Sequence, residues 1–259
     1  MMSGRTRHFR RADLSVALLC ATVSAACFGA IDMAGRERAK RAVCLSNLKQ
    51  LTLAWARYAD DHDGNLVNGD TGEYTDLFDH GTPWVLRDWR SSMTVEEKEL
   101  AIHQGALFPY TGYLRLYRCP LGDSGQTRSY AIVDSMNCKD WLGSTLIRNR
   151  SEIEHPAERF VFIDAGGPQI LLTGGWSCYP DGTERWWDRP PIQHNDGTTL
   201  SFADGHVEYW QWEDPRTVEF GRQVGAFSAP QPGNQDIRNT QLGVWGQITQ
   251  EPTASAERR

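Results

Sequence analysis

The sequence lacks the motifs that mark the commoner enzyme chemistries. No glycine-rich phosphate loop, Gly-x-Ser-x-Gly elbow or His-Glu-x-x-His helix occurs in its 259 residues, so nucleotide hydrolysis, serine-esterase chemistry and zincin proteolysis have no sequence support. It also lacks long runs of one charge. The net charge of -6 is spread without acidic blocks, and basic residues gather only beside an N-terminal hydrophobic segment. Binding to nucleic acid phosphates calls for a basic stripe on the folded domain, so nucleic acid is not expected as a partner. The six cysteines contain no Cys-x-x-Cys pair, which argues against zinc knuckles. These absences assign no enzymatic activity, no cofactor and no metal.

Charge is missing altogether from Leu14 to Ile31. As a helix this segment is about 27 Å long, close to the hydrocarbon thickness of a bilayer, and a single transmembrane pass is expected. A cleaved secretory signal is the alternative, with Val23-Ser24-Ala25 or Ser24-Ala25-Ala26 as small-residue cleavage sites. Arginines flank both ends, at Arg5, Arg7, Arg10 and Arg11 before and at Arg36, Arg38 and Arg41 after, so charge alone does not orient the segment. The short N-terminal arm cannot fold, which places the remainder outside the cytoplasm. Cys44, Cys119, Cys138 and Cys178 all lie beyond the anchor, and export makes them disulfide candidates; Cys44 with Cys119 and Cys138 with Cys178 is the preferred of three pairings.

Glycine and proline are absent from Arg36 to Asp63, where Cys44, Leu48, Leu51, Trp55 and Tyr58 recur at helical spacing. This predicts an amphipathic helix continuous with the anchor, with Arg41, Lys49 and Arg57 on a solvated face and Gly64 at the stop. Asp61-His62-Asp63-Gly64-Asn65 has the look of a calcium loop, but Ala59 falls at the first ligand position, so a helix C-terminal turn is expected. Thr94 and Glu97 have capping-box spacing at the head of a short helix to His103. Ser129 to Val133 and Phe160 to Asp164 read as strands. Asp204-Gly205 within Thr198 to Trp212 signals a hairpin; a two-residue turn pairs Phe202 with Val207 and Leu200 with Tyr209, putting all four on one face.

Several landmarks in order resemble a known family. Ala42-Val43-Cys44-Leu45-Ser46-Asn47-Leu48-Lys49-Gln50-Leu51, Gly105-Ala106-Leu107-Phe108-Pro109-Tyr110, Arg118-Cys119-Pro120, and His194 followed after nine residues by Asp204-Gly205 are similar to prepilin-like proteins related to type II secretion pseudopilins. The resemblance spans roughly residues 36 to 212. It implies an α+β, type IV pilin-like fold, with a long N-terminal helix packed on an antiparallel sheet, and a non-enzymatic part in a secretion or pilus-like system. Other pilin-like subunits and the inner membrane are then the partners, and the domain is periplasmic or at the cell surface. The usual Glu at the fifth mature position is Ala17 here, a departure that bears on processing and polymerisation. The expected organisation is a basic arm (1–13), the anchor (14–31), the amphipathic helix (32–64), an exported β-rich domain (65–225) and a polar, partly disordered tail (226–259).

His194, Asp204 and His206 supply groups suited to a metal or to proton transfer. A strand of about 20 Å between His194 and Asp204 keeps them apart, so the family box (His194, Asp204, Gly205) is read as a folding element; Asp164 is noted as a possible partner for either histidine. Ten tryptophans suggest a second function, a surface binding module for glycan or protein, with Trp186 and Trp187 as the candidate aromatics. A metal-assisted hydrolase is the third and least supported.

Overall fold

The computed structural model describes the backbone of residues 11–71, 81–87, 92–123, 125–139, 146–166, 175–180, 182–223 and 228–246, with side chains from 35 onward, Ala229 excepted. The chain divides at Lys40/Arg41 into an N-terminal unit and a compact second unit. Helix α1 is Arg11–Asp61. The expected anchor, Leu14 to Ile31, lies in the portion whose side chains fall outside the description. Among the described residues no helix is long and apolar enough to cross a membrane.

The second unit is α+β. A four-stranded antiparallel sheet runs in the order β1-β2-β4-β5, with β1 Tyr130–Ile132, β2 Phe160–Asp164, β4 Gly197–Phe202 and β5 Val207–Gln211. A two-stranded ribbon pairs β3 (Arg185–Trp186) with β6 (Ala229–Pro230). Short helices α2 (Val95–His103), α3 (Phe108–Thr111) and α4 (Pro215–Arg222) decorate the connections, and α5 (Gln235–Trp245) ends the described chain.

The α1 stripe behaves as its spacing dictates. Cys44, Leu48, Leu51, Trp55 and Ala59 are fully buried in the same core as strand residues Tyr130, Phe162 and Leu200. Lys49 and Arg57 are exposed, as expected of the solvated face, and two members of that face also clasp the hairpin: the Arg41 guanidinium stacks 3.9 Å above the Tyr209 ring, and Lys49 Nζ donates to the Gly205 carbonyl. The helix stops by backbone chemistry, with Gly64 (φ 83°) donating back to the Ala59 carbonyl at 2.8 Å, so the calcium-like run is a helix terminus. The Thr94–Glu97 capping box forms as expected.

The hairpin forms in a different register from the expected one. Ser201 faces Val207, Leu200 faces Glu208 and Thr199 faces Tyr209. The Gly205 N–H bonds to the Phe202 carbonyl at 2.9 Å and the Phe202 N–H to the His206 carbonyl at 3.0 Å, which makes a three-residue loop with Gly205 (φ 93°) in its bulge position. That extra residue splits the four apolar chains. Leu200 and Phe202 go to one face, where Phe202 stacks on His206 at 4.0 Å; Val207 and Tyr209 go to the face beneath α1.

Residues 228–246 are also not the polar tail expected of them. Helix α5 is capped by Asn234 and buries Ile237, Val244 and Trp245, while the ring of Phe160 on β2 lies against Gly243. Its buried polar residues bond to backbone groups: Gln241 Nε2 donates to the Tyr179 carbonyl (2.7 Å), and Asp236 accepts the Asp214 N–H (2.9 Å). Strand β2 is thus covered on both faces, which is why all five of its residues are buried. Residues 247–259 lie outside the description.

Candidate functional site: a buried Cys-Cys-Asp-His cluster

Four side chains from distant parts of the chain meet between α1 and the sheet. Cys44 comes from the buried stripe of α1. Cys119 follows the 3-10 turn Leu114–Tyr117, its own N–H held by Ser129 Oγ at 2.7 Å. Asp164 is the last residue of β2, and His194 sits in the turn before β4. That turn folds back through Asn195 and Asp196, both with left-handed backbones (φ 55° and 60°) of the kind these two residues tolerate. The His194 N–H reaches the Gly197 carbonyl at 3.3 Å, and the Tyr209 hydroxyl donates to the His194 carbonyl at 2.8 Å. Gly197 has no room for a side chain: a Cβ there meets the Trp210 carbonyl oxygen and, at 2.8 Å, the Tyr209 ring.

Within the cluster His194 Nε2 lies 3.0 Å from Asp164 Oδ2 and 3.3 Å from Cys119 Sγ, and Cys44 Sγ lies 3.1 Å from Asp164 Oδ2. One donor atom from each of the four residues fits within 4.8 Å of all the others, and all four residues are fully buried. A surrounding layer orients them. Gln193 Nε2 (2.8 Å) and the Gly166 N–H (3.3 Å) bond to Asp164 Oδ1, which leaves Oδ2 aimed at the cluster. The Tyr130 hydroxyl (3.2 Å) and the Thr199 hydroxyl (2.9 Å) touch Cys44 Sγ, and the Leu121 N–H points at Cys119 Sγ at 3.4 Å.

The electrostatics separate the two thiols. Burial pushes Cys44 well above the ordinary thiol value, whereas hydrogen bonding to Cys44 first, and to His194 as well, draws Cys119 down against the effect of burial. For His194, burial opposes the charged ring, but the hydrogen bonds to Asp164 and Cys119 outweigh it and raise the imidazole to about 9.

The constellation is not a cysteine-nucleophile triad. In a relay the base uses one ring nitrogen toward the nucleophile and the other toward the orienting carboxylate. Here sulfur and carboxylate both meet Nε2, and no cluster atom faces solvent. Convergence on one point suits a shared cation better than a proton relay.

Of the residues singled out in the sequence, the structure unites Cys44, Cys119, Asp164 and His194, with Asp164 paired to His194 rather than to His206. Asp204 and Gly205 stay at the far end of β4, where Asp204 Oδ1 accepts from the His206 backbone at 3.0 Å in an exposed turn. The four cysteines beyond the anchor are free thiols, so the expected Cys44–Cys119 and Cys138–Cys178 disulfides are not formed, although the first pair does converge. Trp186 is no binding aromatic: it is fully buried against Trp176 and Trp212 and donates to Gln231 Oε1 at 3.2 Å. Trp187 is half-buried, its ring against Tyr179. No family model, curated protein or solved structure matches the chain.

Proposed function

We propose that this chain is a non-enzymatic envelope protein of the prepilin-like kind, in which an N-terminal helix tethers an α+β domain outside the cytoplasmic membrane as a component of, or accessory to, a secretion or pilus-like apparatus. The observation that carries the reading is the packing of the α1 stripe from Cys44 to Ala59 on a four-stranded antiparallel sheet, preceded in sequence by the charge-free stretch Leu14 to Ile31. One helix can then serve two environments, its first half apolar all round and its second half apolar on one stripe. A non-enzymatic role is supported by the sealing of the one concentrated set of reactive side chains among the described residues. The alternative of a glycan-binding surface loses its main support with the burial of Trp186.

Cell fractionation and protease added to spheroplasts test this reading. The unprocessed chain is expected in the membrane fraction after salt washing, with residues from Asn65 onward cleaved by external protease. Release by salt, or full protection of the domain, would overturn it.

A further inference from the structure

We propose that Cys44, Cys119, Asp164 and His194 form a tetrahedral zinc site that fastens helix α1 to the sheet. The donor set comprises two sulfurs, an imidazole nitrogen and one carboxylate oxygen, which suits zinc and disfavours calcium and magnesium, whose shells are built from oxygen. With Zn–S about 2.3 Å and Zn–N or Zn–O about 2.0–2.2 Å, a tetrahedron sets donor separations of about 3.3–3.8 Å. The observed neighbours lie at 3.0, 3.1 and 3.3 Å, with every donor pair inside 4.8 Å. Displacements of under about 1 Å therefore bring all four into coordination.

The surroundings fit the same assignment. A zinc-bound carboxylate commonly uses one oxygen while the other is held by hydrogen bonds, as Gln193 and Gly166 hold Oδ1. Thiolate sulfur accepts hydrogen bonds, and hydroxyl or N–H groups are directed at both sulfurs. Zinc binding releases three protons, one from each thiol and one from Nε2 of the charged His194 ring, and the buried carboxylate and thiolates gain a divalent counter-charge in their place. Four protein donors close the coordination shell and leave no position for substrate, so the site is structural. A Cys44–Cys119 disulfide would use the sulfurs alone and give Asp164 and His194 no part.

The test uses the full-length chain extracted in detergent from cells supplied with zinc, with metal measured by mass spectrometry and thiols counted after denaturation in chelator. About one zinc per chain is expected, falling below about a tenth in Cys119→Ala and in His194→Ala but unchanged in Cys138→Ala, a buried thiol outside the cluster. Cobalt exchanged into the wild-type chain provides a reading that does not depend on whether the cluster variants fold. Intense tetrahedral ligand-field bands with thiolate-to-cobalt charge transfer are expected. Less than about a tenth of an equivalent of zinc, both as extracted and after zinc is added under reducing conditions, would overturn the proposal. So would a Cys44–Cys119 disulfide in the native protein, a full equivalent of iron in place of zinc, or zinc retained by both cluster variants.

Discussion

Gly243→Ala has opposite consequences depending on whether α5 belongs to the domain. In an undocked helix the change raises helix propensity by roughly 1 kcal/mol. In the structure, a Cβ at Gly243 falls closer than 3.0 Å to three ring carbons of Phe160, nearer than real Cβ atoms come. The ring cannot swing aside, being wedged edge-on against Phe202 at 5.2 Å and Trp210 at 5.0 Å. Overpacking of this kind costs about 1–3 kcal/mol, and a pinned ring puts the cost near the top of that range. Subtracting the propensity gain leaves a net loss of about 2 kcal/mol, or roughly 4–8 °C in the midpoint of a domain this size. Thermal unfolding of the full-length chain in detergent, followed by tryptophan fluorescence, reads this directly. Leu242→Ala, on the exposed side of the same helix, is the control and should move stability by less than about 0.5 kcal/mol. An unchanged or higher midpoint for Gly243→Ala would mean that α5 does not pack on β2.

Two further substitutions probe the hairpin and the aromatic core. Gly205→Val should cost about 1–3 kcal/mol from backbone strain at φ 93°, since among the described residues the one near neighbour of a Cβ there is Lys49 Nζ at 3.7 Å. The same loss is expected in a Lys49→Ala background, and its disappearance there would put the cause in the side-chain contact. Trp186→Ala should lower stability by about 3–5 kcal/mol and reduce accumulation of the protein; an unaltered melt accompanied by loss of glycan retention would restore the binding-surface reading.

The elements that sequence made legible are those in which one periodicity decides the outcome. The helix to Asp61, the strand Phe160–Asp164 and the capped helix after Thr94 all form where pattern and punctuation agree. The hairpin register was not legible because Asp-Gly serves two geometries: a two-residue turn, or a type I turn closed by a glycine bulge that counts Ala203 into the loop. Helix α5 escaped because Asp236, Thr240 and Gln241 are polar yet buried, paired with backbone groups that no composition reveals. Of the cluster, Asp164 is legible as a histidine partner, since a buried strand ending in Asp needs one, but the sequence leaves open whether His194 or His206 supplies it. The convergence of Cys44 and Cys119 on that pair depends on how α1 lies across the sheet, which spacing along the chain does not encode.

The contact that closes the core joins the first described element of the second unit to nearly the last strands of its sheet: Cys44 meets Thr199 across 155 positions, and Lys49 meets Gly205 across 156. Such a fold has high contact order, and the entropy of closing so long a loop must be met before the apolar stripe is covered. At about 5–20 residues per second, synthesis of the intervening chain takes roughly 8–30 s, during which Leu48, Leu51 and Trp55 have no sheet to rest on. The same helix that organises the finished domain is therefore, for that interval, its most aggregation-prone and protease-sensitive surface, and a chain truncated before β4 would remain in that condition permanently.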